Sequence, residues 1–151
     1  MLRAGDAAPA FELTSDTGER VRLADFAGRR VVVYFYPKAD TPGCTKQAYA
    51  LRDIHPDIED AEIVVVGISP DPPERLAAFR VKYELPFVLL FDPDHAVAEA
   101  YGAWGEKTLY GKTVTGMLRT HTAIDEDGKL VDYKLRVKPR STAELAKTLV
   151  G

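Results

Sequence analysis

Apolar residues follow two rhythms along this chain. The unbroken runs Val31–Tyr36, Ile63–Ile68 and Phe87–Phe91 predict strands covered on both faces. Between them, apolar positions recur at three and four. That spacing predicts helices over about Pro42–Ile54, checked by Pro56, and about Pro73–Tyr83, where Leu76, Phe79 and Tyr83 share a face. A short helix is expected over Ala96–Tyr101. Phe11–Leu13 and Val21–Leu23 flank a turn at Asp16-Thr17-Gly18 and predict a small hairpin. Trp104–Gly116, rich in Gly and Thr, reads as a loop. Two strands follow, about Gly116–Ile124 and Leu130–Leu135, around the turn Asp125-Glu126-Asp127-Gly128. Ser141-x-x-Glu144 reads as a capping box opening a last helix that buries Leu145 and Leu149. The order predicts an α/β fold: a three-layer α/β/α sandwich with a mixed central sheet and an N-terminal β-hairpin, in one domain over 1–151. Ligand sites in such folds lie at the carboxyl ends of strands.

Composition adds mainly exclusions. With 151 residues, 46% hydrophobic and 28% charged, the chain is long enough to bury roughly 70% of its unfolded surface. A net charge of −3 gives no electrostatic case for a nucleic-acid or membrane partner. The opening MLRAGDAAPAF lacks the apolar core of a signal peptide, and no run suits a membrane span. One cysteine cannot form an internal disulfide, which suits a reducing cytosol, so a cytoplasmic location is expected. His55, His95 and His121 have no metal-ligand spacing with that cysteine, and no phosphate-binding glycine motif occurs. Neither a metal nor a cofactor is expected.

The candidate chemistry lies in Tyr34–Thr45, YFYPKADTPGCT. The strand stops at Pro37, and Thr41-Pro42-Gly43-Cys44 reads as a helix opening, with Thr41 as N-cap and Pro42 at N1. Cys44 then stands at N3, where unpaired N–H groups and the macrodipole favour an anion. A lone cysteine is more often an inert filler; this position instead favours the nucleophilic thiolate. The helix terminus supplies only about 0.3–1 kcal/mol, so a second cation is required.

Pro37, Thr41 and Cys44 form the Pro-x-x-x-Thr-x-x-Cys motif, and the chain resembles the peroxiredoxin family. GDAAPAFEL, YFYPK, TPGCT, ISPDPPERLAAF and LRTHTAID occur in that family's order. It is most similar to the peroxiredoxin Q, or bacterioferritin comigratory protein, branch. The resemblance implies a thioredoxin fold and reduction of hydrogen peroxide and organic hydroperoxides by a thiol-dependent cycle. It implies that Cys44 is the peroxidatic nucleophile, that the Thr41 hydroxyl, the Cys44 N–H and Arg119 hold the peroxide, and that Pro37 shields the sulfur. Without the resemblance, Arg119 reads equally well as a solvated edge residue. His55, His95 and His121 read best as satisfied core or surface histidines. His121, two residues on from Arg119, would share its strand face and could border the pocket, without a role as catalytic base.

Many members of this branch carry a resolving cysteine five residues after the reactive one. Here that position is Tyr49, so an intramolecular disulfide is impossible. Three routes remain: a mixed disulfide with a small thiol, direct attack by a thioredoxin- or glutaredoxin-like protein, or a Cys44–Cys44 link between chains. Of these, a 1-Cys cycle with an external thiol is expected. The alternative is a peroxide sensor or holdase oxidised stoichiometrically at Cys44. Gln47 stands where relatives often have Glu, removing an acidic neighbour that would oppose a thiolate. The expected state is a monomer or weak homodimer, with Tyr49 and the Trp104 loop as a candidate apolar patch.

Overall fold

The computed structural model describes residues 2–151, Leu109 by its backbone only. The chain order is β1 (Glu12–Ser15), β2 (Arg20–Arg22), a 3-10 turn (Leu23–Phe26), β3 (Arg30–Phe35), α1 (Pro42–Asp53), α2 (His55–Asp60), β4 (Ile63–Ser69) and α3 (Pro73–Tyr83). There follow β5 (Val88–Phe91), α4 (Ala96–Ala100), β6 (Trp104–Leu109), β7 (Lys112–Met117), β8 (Thr120–Ile124), β9 (Leu130–Lys134) and α5 (Ser141–Val150). Among the described residues the main sheet runs β2-β1-β5-β4-β3-β8-β9. It is mixed: β3, β4 and β5 are parallel, while β8 pairs antiparallel with β3, and β1 with β5.

The apolar runs sit at the centre because they have two faces to bury. Along β3, Val32 and Tyr34 face a core shared with α1, α2, α3 and α5, whereas Val31, Val33 and Phe35 face a second core with α4 and Met117 of β7. Each of these five side chains is at most 1% exposed. Burial at that level stabilises by about 1.5–3 kcal/mol per side chain, so the centre of the sheet is a rigid base. The three layers are therefore four helices, the sheet, and a second cover that includes α4. Among the described residues no helix is long and apolar enough to cross a membrane.

The structure departs from the sequence reading in four places. Trp104–Gly116 is not an irregular loop: β6 and β7 pair in register from Trp104↔Met117 to Leu109↔Lys112. Their turn has positive φ at both Tyr110 and Gly111, as a two-residue hairpin turn requires. The strand expected over Gly116–Ile124 is broken at Leu118–Arg119, where the Arg119 carbonyl accepts from the Val137 N–H at 2.8 Å rather than from a strand partner. Pro56 does not simply end α1; it occupies the first turn of α2, where its missing N–H costs nothing. The capping box is absent, because Arg140 is the N-cap and Ser141 lies inside α5. The neighbouring Thr142, in the first turn of α5, is fully buried.

Candidate active site

β3 delivers the chain to Pro37 at its carboxyl end, and α1 begins five residues later. The loop between is held by its backbone. The Asp71 carboxylate, 7% exposed just beyond β4, accepts the Ala39 N–H at 2.7 Å and the Ser69 hydroxyl at 2.9 Å. Asp40, at φ 60°, accepts from Lys82 Nζ at 2.8 Å and from the Tyr83 hydroxyl, both on α3. Those two donors hold the Asp40 carboxyl below the usual carboxylate range.

Thr41 is the N-cap residue by position, and its carbonyl accepts the Thr45 N–H at 2.8 Å. Its side chain does not cap the helix. The hydroxyl donates instead to the Lys38 carbonyl at 2.8 Å, which leaves its lone pairs available. Pro42 is at N1 and Cys44 at N3, as expected from the sequence. Cys44 is 1% exposed, a free thiol enclosed in the first turn of α1 rather than an open surface cysteine.

Arg119 reaches Cys44 from 75 residues away. Its Nη1 lies 3.5 Å from Cys44 Sγ and donates to Gln47 Oε1 at 2.6 Å. The break before β8 releases Arg119 from the sheet, so its side chain projects over the first turn of α1. The approach needs Gly43: a Cβ there would stand 2.9 Å from Arg119 Nη2. A fixed guanidinium and the first-turn N–H groups of α1 both stabilise negative charge at this sulfur. Lys107 of β6 lies near enough to feel the same charges. Burial lowers its ammonium, Cys44 raises it and Arg119 lowers it, while Nζ donates to the Met117 carbonyl at 2.9 Å.

Beneath the site, Tyr34 and Tyr36 stack with centroids 5.4 Å apart, and burial raises both phenols so that they stay neutral. Tyr49 lies apart from the sulfur on the α3 side of α1, edge-on to Tyr83 at 5.2 Å with the Arg52 guanidinium 4.2 Å over its ring. Trp104 stacks on His95 at 3.8 Å and packs against the opposite core. Tyr49 and Trp104 thus sit on different faces of the sheet and form no joint patch, contrary to expectation. Among the described residues no group of three or more His, Cys, Asp or Glu side chains could hold a metal ion. Sequence reasoning missed the space at Gly43, the Asp71 anchor, Lys107, and Thr142 behind Gln47. Gly43 was the most accessible of these, since glycine early in a helix lowers stability unless room is needed.

A buried cysteine in the first turn of a helix with a guanidinium at its sulfur, beyond the carboxyl end of β3 in an α/β sandwich, is an arrangement suited to thiol chemistry. A profile of the AhpC/TSA family matches residues 4–133, and the chain belongs to that family, the peroxiredoxins. It is similar to a putative peroxiredoxin of Mycobacterium tuberculosis, 55% identical over 146 residues, 97% of this chain and 92% of the relative. The peroxiredoxin Bcp of Escherichia coli is 54% identical over 129 residues, 85% and 83% of the two chains. Among solved structures, peroxidoxin BcpB of M. tuberculosis matches at TM-score 0.87 and 33% identity, covering 99% of this chain and 97% of that one. Peroxiredoxin Q of Xanthomonas campestris matches at 0.85 and 31%, covering 92% and 89%. The chain is therefore a thiol-dependent peroxidase similar to Bcp and peroxiredoxin Q, and its single cysteine fits a variant without a resolving cysteine.

Proposed function

We propose that Cys44 is the peroxidatic nucleophile of a 1-Cys cycle that reduces hydrogen peroxide and organic hydroperoxides. The observation that carries this reading is the 3.5 Å contact between Arg119 Nη1 and Cys44 Sγ at the start of α1. The thiolate attacks the terminal peroxide oxygen. An S–O bond forms as the O–O bond breaks, sulfur is oxidised by two electrons to sulfenic acid, and the departing oxyanion takes a proton to become water or an alcohol. Arg119 and the Cys44 N–H stabilise the charge growing on that oxygen. The Thr41 hydroxyl, whose own proton goes to the Lys38 carbonyl, accepts the hydroperoxide O–H and so holds the peroxide, and Pro37 keeps water from the sulfur. Arg119→Ala removes a donor from the reacting centre and slows peroxide consumption by about 10²–10³. A variant as fast as wild type contradicts the role.

An external thiol returns the sulfenic acid to thiol: a small thiol, or a thioredoxin- or glutaredoxin-like protein. The burial of Cys44 bears on this step. Reaction at the sulfur, with a peroxide as with a thiol, requires its cover to open locally, and a protein thiol demands the larger opening at the first turn of α1. After one equivalent of peroxide, mass spectrometry and non-reducing electrophoresis show a sulfenic acid or an external-thiol adduct; quantitative covalent dimer contradicts the 1-Cys cycle. A reducing cytoplasm agrees with the lone cysteine, and the state proposed there is a monomer or weak homodimer.

A further inference from the structure

Behind Arg119, buried polar side chains line up from α1 through α5 to β8. Arg119 Nη1 donates to Gln47 Oε1 at 2.6 Å, and Gln47 Nε2 donates to Thr142 Oγ1 at 2.9 Å. Thr142 Oγ1 lies 3.0 Å from His121 Nδ1. Gln47 and Thr142 are 0% exposed and His121 2%. Polar groups so enclosed are costly unless each finds a partner, so the line is a constrained unit.

Its direction follows from donor and acceptor chemistry. A guanidinium only donates, so Gln47 must turn its carbonyl oxygen to Arg119 and its amide N–H₂ to Thr142. A threonine hydroxyl alone does not enforce this, because it could donate to a reversed amide. His121 removes that freedom: an unprotonated Nδ1 takes the Thr142 proton and leaves the hydroxyl oxygen as the acceptor facing Gln47. The ring proton then sits on Nε2. Burial lowers the basicity of His121 and keeps it neutral, with Asp132 opposing and Lys134 reinforcing that effect.

We propose that Thr142 and His121 are positioning residues for Arg119, acting through Gln47 to hold its guanidinium on Cys44. This rests on the reading of Cys44 and Arg119 as the peroxide site. Gln47 grips the guanidinium from one side, and Gly43 leaves room on the other. Neither Thr142 nor His121 touches substrate.

The test is single-turnover oxidation by hydrogen peroxide, which needs no reductant. Thr142→Val keeps the shape and removes both hydrogen bonds, and it slows the reaction about three- to tenfold, the scale of one net hydrogen bond. Thr142→Ser restores the rate to within about twofold. Thr142→Val at the wild-type rate, or Thr142→Ser as slow as Thr142→Val, overturns the proposal. Nitrogen-15 NMR of histidine-labelled wild-type protein tests it without a variant: the His121 proton is on Nε2, and a proton on Nδ1 overturns the direction of the line. Wild-type protein and Cys44→Ser are measured alongside. A wild-type rate no faster than free cysteine removes the site reading, and this inference with it; a fast wild type beside an unaffected Thr142→Val removes this inference alone.

Discussion

Replacing Gly43 by alanine separates activity from stability. The new methyl stands 2.9 Å from Arg119 Nη2, well inside van der Waals contact, and 3.8 Å from Pro139, which tolerates it. The obstructing atom is the far end of a long side chain, so the backbone stays and the guanidinium moves. A shift of half an ångström or more cannot preserve both the 2.6 Å bond to Gln47 and the 3.5 Å contact with Cys44. Losing an oxyanion-type donor costs about 10²–10³ in rate. Displacement rather than removal places Gly43→Ala at the lower end, about 10–100-fold slower in stopped-flow consumption of hydrogen peroxide. In the same protein, alanine relieves the entropy cost of a helical glycine, and urea denaturation gives stability unchanged or raised by up to about 1 kcal/mol. A Gly43→Ala enzyme with full peroxidase rate refutes the view that Arg119 acts from the position it holds over α1.

Three further predictions concern the frame around the site. Arg80 pairs with Asp16 through two hydrogen bonds and also donates to the Leu85 and Phe87 carbonyls, while the Asp16 side chain is 3% exposed. Arg80→Ala leaves that carboxylate buried and unpaired and lowers stability by about 3–5 kcal/mol in urea denaturation; a loss below about 1 kcal/mol contradicts this. The Tyr34 hydroxyl has no hydrogen-bond partner among the described residues, so Tyr34→Phe is neutral or stabilising by about 1 kcal/mol in urea denaturation, and a loss above about 1 kcal/mol contradicts this. Burial lowers the basicity of His121 below its unfolded value of about 6.5, so below that pH the unfolded chain binds the extra proton first. Stability therefore falls as pH drops from about 6.5 toward the lower folded value. His121→Asn flattens that part of the profile, and an unchanged slope sinks the assignment.

How much of this was legible follows from what each feature depends on. The central strands were readable because short, β-branched runs such as Val31–Val33 and Ile63–Val66 favour strands, and an unbroken apolar run must be buried on both faces of a sheet. The first turn of α1 was readable because Pro42 at N1 is a local rule. The β6–β7 hairpin was not, since its Thr, Lys and Glu residues show little alternation of apolar with polar, although Tyr110-Gly111 carried a turn signal. Arg119 came from the family resemblance and not from its neighbours, because contact with Cys44 depends on a break between two strands. Gln47 and Thr142 meet across 95 residues, and no periodicity reports such a pairing. The Thr41 hydroxyl shows the limit of capping rules: the position was right, yet the side chain bonds to Lys38.

In the proposed cycle the Cys44 sulfur is the atom that breaks the peroxide bond. Stopped-flow mixing of wild type and Cys44→Ser with one equivalent of hydrogen peroxide, followed by sulfenic-acid trapping and peptide mass spectrometry, tests it most directly. Wild type is expected to consume peroxide orders of magnitude faster than free cysteine, with one trapped oxygen on Cys44 and no reaction in Cys44→Ser. A wild-type rate no faster than free cysteine, or a Cys44→Ser variant that still consumes peroxide, contradicts it.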